Sequence, residues 1–102
     1  MFKHIVMWKL KESSTGKSRE ENALMIKSEL EKLPHLIPQI SSYEVGINLS
    51  SSERSCDVAL SSEFKTEDDF EAYRVHPEHK KVVEKIRSVR DQTYVVDFQS
   101  SG

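Results

Sequence analysis

The stretch FKHIVMWKLK, residues 2–11, decides the fold class. In an extended chain its side chains point alternately to two faces, with Phe2, His4, Val6, Trp8 and Leu10 on one and Lys3, Ile5, Met7 and Lys9 on the other. Both faces carry apolar side chains in the middle of the stretch. A strand with one face in water would be polar on that face, so the pattern predicts a strand that is covered on both faces.

The next part of the chain predicts one helix and two strands. An apolar stripe with helical spacing is formed by Ala23, Ile26, Leu30 and Leu33. Pro34 is expected to end this helix, and Pro38 is expected to keep the following segment extended. Alternating apolar residues predict strands over about 41–49 and 56–64, and the polar run 50–54 between them predicts a hairpin loop.

A helix in two parts and a last strand complete the pattern. Thr66 is the predicted N-cap of the first part, and Pro77 begins the second part as a first-turn proline. Alternation over residues 93–98 predicts the last strand. The resulting order, β-α-β-β-α-β, predicts a ferredoxin-like α+β fold in which a four-stranded antiparallel sheet carries its helices on one face.

The other face of that sheet has no predicted cover, although Ile5 and Met7 would lie on it. An exposed apolar face of several hundred Å² usually marks an interface between proteins. The chain is also small, so its own core buries a modest share of its surface. These observations predict a homodimer that forms through the sheet faces.

Length and composition exclude several classes of protein. A chain of 102 residues fits one domain, 1–102. Its 15 basic residues against 17 acidic ones give a formal net charge of -2, which argues against nucleic acid as a partner. The sequence has neither a long apolar run for a membrane span nor the features of a signal peptide, and Cys56 is a single cysteine. A cytoplasmic protein without a disulfide is therefore expected.

The segment YRVHPEH, residues 73–79, carries the residues best suited to chemistry. Pro77 at the first helical position makes His76 the N-cap, and helical spacing places His79 on the same side as Val83 and Ile86. The positive end of the helix and burial both lower the pKa of a histidine. His79 is thus suited to act as a general base, with Tyr73 close by. His4, Val6 and Trp8, on one strand face, are expected to line the far wall of a pocket.

Structural explanations for the same residues remain open at this point. His76 is explained most simply as a cap, His79 as a half-buried histidine with a satisfied ring, and Tyr73 as a core aromatic. No third ligand accompanies His76 and His79, so no metal site is expected. The sequence has no GxGxxG, P-loop or GxSxG motif, and no cofactor is expected.

Over nearly its whole length the sequence resembles the stress-responsive A/B barrel (Dabb) family. The matching segments are Phe2–Lys9, Asp57–Leu60 with Glu63–Phe64, Tyr73 with His76–His79, and Val95–Phe98. The resemblance implies a ferredoxin-like protomer and a homodimer whose two sheets form an α/β barrel. A plant polyketide cyclase of the family uses a tyrosine and the second histidine of this motif without a cofactor. That relationship implies Tyr73 and His79 as catalytic residues, with His4 lining the pocket.

Two main hypotheses follow. The first is a stress-responsive dimeric domain that binds a small hydrophobic or aromatic molecule beside His4, Val6, Trp8 and His76. The alternative is a cofactor-independent enzyme, of cyclase or isomerase type, in which His79 acts as base and Tyr73 orients a carbonyl group. A cofactor-free monooxygenase is a further alternative, because that chemistry also occurs on dimeric α/β barrels.

Overall fold

The computed structural model describes residues 1–101 and has an α+β architecture. In chain order the described residues form β1 (Phe2–Leu10), β2 (Ser13–Ser14), β3 (Lys17–Ser18), α1 (Arg19–Glu31), α2 (Leu33–Leu36), β4 (Ile40–Ile47), β5 (Val58–Phe64), α3 (Glu67–Arg74), α4 (Pro77–Val89) and β6 (Arg90–Gln99). The main sheet has the strand order β4-β5-β1-β6, and each neighbouring pair is antiparallel. The predicted ferredoxin-like fold is confirmed.

The core lies between the helices and one face of the main sheet, here called the inner face. Alternate side chains of β1, from Phe2 to Leu10, lie on this face, and the strand register places Val58, Leu60 and Phe64 of β5 beside them. The helices cover these residues with buried side chains that follow helical spacing: Ala23, Ile26 and Leu30 from α1, and Val82, Ile86 and Val89 from α4. Sequence alternation and helical periodicity therefore predicted both layers of the core.

The opposite face of the main sheet, the outer face, carries apolar side chains in contact with solvent. Five of them form the outer-face patch: Ile5, Met7, Tyr94, Val96 and Phe98. The antiparallel register of β1 and β6 brings Ile5 opposite Val96 and Met7 opposite Tyr94, so the patch is continuous across two strands. Because Met7, Tyr94, Val96 and Phe98 are each between 42% and 52% exposed, the described residues leave this face uncovered.

Residues 13–18 form a small hairpin that the sequence analysis did not predict. β2 and β3 pair across Thr15 and Gly16, whose φ angles are 56° and 76°. Gly16 adopts this left-handed conformation without steric cost. Ser18 then caps α1, since its hydroxyl accepts from the N–H of Glu21 while the Glu21 carboxylate accepts from the N–H of Ser18.

Pro34 was predicted to end the helix, but it lies inside a second short helix, which corrects the prediction. α1 ends at Glu31, and the chain forms the short helix α2 with Pro34 in its first turn. A proline is tolerated there because its missing N–H would have no partner within the helix. The backbone becomes extended only at Ile37.

Strand boundaries also differ from the predictions. The loop between β4 and β5 is longer than expected and includes Cys56. The carbonyl of Cys56 accepts a hydrogen bond from the Asn48 side chain at 2.7 Å. β6 follows α4 without a loop and begins at Arg90, three residues before the predicted start. Within residues 1–101, each helix is too short or too polar to span a bilayer.

Candidate functional site

A cleft of about 260 Å³ opens between α4 and the inner face of the main sheet. α4 contributes residues at helical spacing, and β1 and β6 contribute alternate residues that are aligned by their register. The lining consists of His4, Val6, Trp8, His79, Val83, Ile86, Arg90, Thr93 and Val95. Val95 lies opposite Val6 and Thr93 lies opposite Trp8, so the middle of the cleft is apolar.

The structure brings together part of the predicted set of site residues. His4, Val6, Trp8 and His79 all line the cleft. Tyr73 and His76 do not line it, although the sequence analysis placed Tyr73 in the pocket and His76 among the binding residues. Helix geometry accounts for the difference, because these two residues lie at the end of α3 and at the start of α4 and face other neighbours.

His76 is the N-cap of α4. Its backbone is extended, with φ -64° and ψ 135°, and its Nδ1 accepts a hydrogen bond from the N–H of Glu78 at 3.1 Å. Pro77 follows at the first turn, as the sequence predicted. The ring of His76 thus satisfies one of the free N–H groups at the start of the helix, and this contact holds the first turn that carries His79.

His79 presents one ring nitrogen for chemistry. Its Nδ1 lies 3.0 Å from the carbonyl oxygen of Arg74, and since a carbonyl only accepts, Nδ1 carries the proton. Nε2 of the neutral ring is then an unprotonated acceptor. Burial lowers the pKa of His79; the hydrogen bond to Arg74 opposes this effect, and the nearby charges of His4, Arg74 and His76 add to it. The neutral, basic form is therefore favoured in the folded protein.

Tyr73 lies behind His79 in the core. It is 1% exposed, its ring centroid is 4.3 Å from that of His79, and its hydroxyl is 2.8 Å from the hydroxyl of Tyr43. Burial raises the pKa of Tyr73 to about 12, against the opposing effect of the Tyr43 hydrogen bond. Burial also raises the pKa of Tyr43, as does the neighbouring Tyr73. Both hydroxyls stay protonated, and Tyr73 supports the His79 ring from the side of the core.

Removal of the Tyr43 hydroxyl alone is expected to cost more folding stability than removal of both tyrosine hydroxyls. Tyr43→Phe leaves the fully buried Tyr73 hydroxyl without its partner, which costs about 1–3 kcal/mol. Tyr73→Phe is expected to cost less, because the Tyr43 side chain left behind is only half-buried. Urea unfolding of the two single variants and the double variant measures these costs. If the double variant lost the sum of the single effects, the hydroxyl pair would not be coupled.

His4 has a carboxylate partner that the sequence analysis missed. Its Nδ1 lies 2.5 Å from Oδ1 of Asp97, which faces it across the β1–β6 pair. The ring of His4 also packs on Phe70, with 4.7 Å between the ring centroids. Two contacts therefore fix the orientation of His4, and the carboxylate favours the tautomer with the proton on Nδ1.

The remaining lining residues that the sequence analysis did not identify as site residues are Val83, Ile86, Arg90, Thr93 and Val95. The alternation of β6 could have identified part of this set, because it places Val95 and Val96 on opposite faces of the sheet. The pairing register of β6 with β1 was needed to place Val95 beside Val6, and no local pattern specifies that register.

Folding stability is expected to fall as the pH drops below about 6.5, the ordinary pKa of histidine. Since the pKa of His79 is lowered in the fold, the unfolded chain takes up a proton first and is favoured as the pH falls. His79→Asn, which keeps a donor toward Arg74, should show a smaller loss between about pH 7.5 and pH 5. The urea concentrations at the unfolding midpoint, measured across this pH range, give the loss of stability for each protein. If stability fell equally with pH in the parent protein and in His79→Asn, the lowered pKa would be contradicted.

Two larger depressions, of about 460 and 570 Å³, adjoin the loop between β4 and β5. In the part of the chain that the structure describes, neither is lined by a histidine. Among residues 1–101, no group of three His, Cys, Asp or Glu side chains is arranged to hold a metal ion. Of these three depressions, the cleft at α4 is the one that is lined by histidines.

Comparison with known families agrees with this architecture. The family model for the Stress responsive A/B Barrel Domain matches residues 2–100. No curated protein sequence matches the chain significantly.

Solved structures show the same fold. A dimeric protein of unknown function with a ferredoxin-like fold from Bacteroides fragilis is 31% identical, with a TM-score of 0.81 over 97% of this chain and 95% of the other. A dimeric ferredoxin-like protein of unknown function from Thermobifida fusca is 26% identical, with a TM-score of 0.81 over 95% and 88% of the two chains. Hydroxynitrile lyase from Passiflora edulis, at 17% identity, has a TM-score of 0.78 over 95% and 90%.

Proposed function

Because the chain belongs to the stress-responsive A/B barrel family, we propose that it is a homodimer that binds a small, mostly apolar molecule in the cleft of each protomer. The observation that carries this proposal is the position of His79. A neutral histidine with a free Nε2 lies at one end of a cleft whose middle is apolar. Such a combination of apolar walls and few polar groups is typical of ligand sites.

The homodimer is supported by the outer-face patch. Four side chains of this patch are about half exposed, and a contiguous apolar patch of this kind usually marks an interface. The similar proteins from Bacteroides fragilis and Thermobifida fusca are described as dimeric. A second copy that places its own outer face against this one would bury both patches.

The size of the cleft indicates the size of the ligand. Pockets for drug-sized ligands have volumes of about 300–1,000 Å³. At about 260 Å³ the cleft lies just below that range, so it fits a molecule with a single ring. The Trp8 side chain forms part of the wall and offers an aromatic surface for such a ring.

Acid–base catalysis on a carbonyl compound is the second candidate, and the free Nε2 of His79 favours it. In this reaction Nε2 takes a proton from the carbon next to a carbonyl group, and the electron pair moves onto the carbonyl oxygen to give an enolate. Where the substrate has a double bond between its β and γ carbons, the enolate is conjugated with it, and return of the proton at the γ carbon completes an isomerisation. Tyr73 acts here through His79, since its hydroxyl is bonded to Tyr43. The hydroxynitrile lyase shares the fold, which suggests an aromatic hydroxynitrile as one test compound.

Binding of acetophenone, an aromatic ketone with one ring, tests the ligand site. In NMR titrations we expect signal changes at the Trp8 indole and the His79 ring. Val95→Trp should abolish these changes, because Val95 lines the cleft and the larger side chain fills it. Leu24→Trp is the matched control, since Leu24 is exposed on α1 and does not line the cleft. Unchanged binding in Val95→Trp, or changes confined to other surfaces, would refute the site.

Turnover of aromatic ketones and of an aromatic hydroxynitrile separates the two candidates. His79→Asn keeps a donor for the Arg74 carbonyl and removes the basic nitrogen. If the protein is an enzyme, this variant should bind acetophenone normally and lose at least about 100-fold in rate. Binding without turnover in the parent protein would leave the binding function and exclude catalysis on these compounds.

A further inference from the structure

Polar groups lie at the two ends of the cleft, and apolar groups lie between them. His79, Val83 and Ile86 lie on one stripe of α4, and Arg90 follows the end of that helix as the first residue of β6. The strands follow the same order, because His4 lies at the His79 end while Thr93 and Trp8 lie toward Arg90. One end therefore offers imidazoles, the middle is apolar, and the other end offers a guanidinium and a hydroxyl.

Arg90 has no acidic partner within the structure. Among residues 1–101, no hydrogen bond or ion pair joins its half-buried side chain to another side chain. Arg74 and Arg87, by contrast, each pair with a glutamate on their own helix. Arginine binds carboxylates through two parallel hydrogen bonds, a geometry that Arg90 leaves available at the cleft.

The charges of the side chains that line the cleft also favour an anionic ligand. The chain has more acidic than basic residues, yet within the described chain no acidic side chain lines the cleft. Asp91, the residue after Arg90 in β6, does not line the cleft, and Asp97 is bonded to His4 at the opposite end. An anionic group beside Arg90 and Thr93 would thus meet a positive charge and a donor without repulsion from the lining.

We propose that the cleft takes a one-ring aromatic carboxylate, with the carboxylate on Arg90 and the ring between Val6, Val83 and Val95. This inference rests on the proposed small-molecule function and specifies the chemical class of the ligand. The opposite substituent of the ring lies toward His79, where a carbonyl group would be within reach of Nε2.

Arg90 also has a structural explanation that the test must separate. It is the C-cap of α4, and a cation near the C-terminus of a helix interacts favourably with the helix dipole. If that were its whole role, removal of its charge would lower stability and leave ligand preference unchanged. A specificity role predicts the reverse pattern, a change in preference between a charged and a neutral ligand.

The experiment compares 4-acetylbenzoate with its neutral isostere 4-acetylbenzamide by isothermal titration calorimetry. The parent protein should bind the benzoate about tenfold more tightly, a preference that weakens with added salt. Arg90→Gln should abolish this preference while its affinity for the benzamide stays the same, and Arg90→Lys should restore part of it. Thermal unfolding of each variant measures the structural contribution of Arg90 separately.

Three results would overturn the inference, and they differ in whether the proposed small-molecule site is also refuted. Equal binding of both compounds to the parent protein would refute the carboxylate preference and leave the small-molecule site intact. A preference that persists in Arg90→Gln, together with lower stability, would assign Arg90 to the helix end alone. Failure of both compounds and of acetophenone to bind would refute the proposed function together with this inference.

Discussion

Val96→Asp is expected to separate the protein into single chains at concentrations where the parent protein is a dimer. Val96 lies in the outer-face patch, is 52% exposed in the protomer, and faces Ile5 across the strand pair. At the proposed interface the aspartate would be buried among apolar groups without a partner, which is costly for a carboxylate. We expect the dimer dissociation constant to rise at least about 100-fold, or roughly 3 kcal/mol. Sedimentation velocity over a dilution series measures it.

Leu36→Asp provides the matched control. Leu36 is 48% exposed, close to the value for Val96, but lies on α2, away from the outer face. The same change of an apolar side chain to a carboxylate should leave the dimer intact there. If both variants dissociated, or if only Leu36→Asp did, the interface would lie elsewhere on the protomer.

Phe64→Ala is expected to cause the largest loss of stability, about 3–5 kcal/mol. Phe64 has no exposed surface, and its ring contacts Phe70 and Tyr73, with centroid distances of 5.4 and 5.0 Å. Truncation leaves a cavity beneath Phe70, which packs on His4, and Tyr73, which packs on His79. Because small domains have about 5–15 kcal/mol of stability in total, this variant should be marginally folded.

Phe64→Leu separates packing volume from the aromatic contacts. It retains most of the buried volume and should cost clearly less than Phe64→Ala. The free energy of unfolding in urea, measured for all three proteins at one concentration, gives both values. A cost for Phe64→Ala below about 1 kcal/mol would show that the aromatic cluster is not a major part of the core.

The fold was largely predictable because its signals are local. Alternation in residues 2–10 and in β5 identified the strands and separated their two faces. The His76–Pro77 pair indicated the start of α4, and helical spacing then placed His79 on one side with Val83 and Ile86. These signals depend on residues less than about ten positions apart, where backbone geometry alone decides which side chains share a face.

The cleft was less predictable because it depends on contacts between distant segments. The pair of His4 and Asp97 joins residues 93 positions apart, and the hydroxyl pair of Tyr43 and Tyr73 joins residues 30 apart. The sequence allowed Tyr73 as a pocket residue or as a core aromatic, and it could not reveal that Tyr43 engages the Tyr73 hydroxyl. Arg90 was missed for a related reason: it lies where α4 passes directly into β6, outside both predicted elements.

The protonation state of His79 tests the central claim most directly, since the proposed ligand site and the proposed catalysis both place a neutral ring with an accessible Nε2 in the cleft. Long-range ¹H–¹⁵N correlation spectra of the histidine rings distinguish protonated from unprotonated nitrogens. At neutral pH the account predicts a proton on Nδ1 of His79, none on Nε2, and a change at Nε2 when acetophenone is added. A ring protonated on both nitrogens, or an Nε2 signal indifferent to acetophenone, would contradict it.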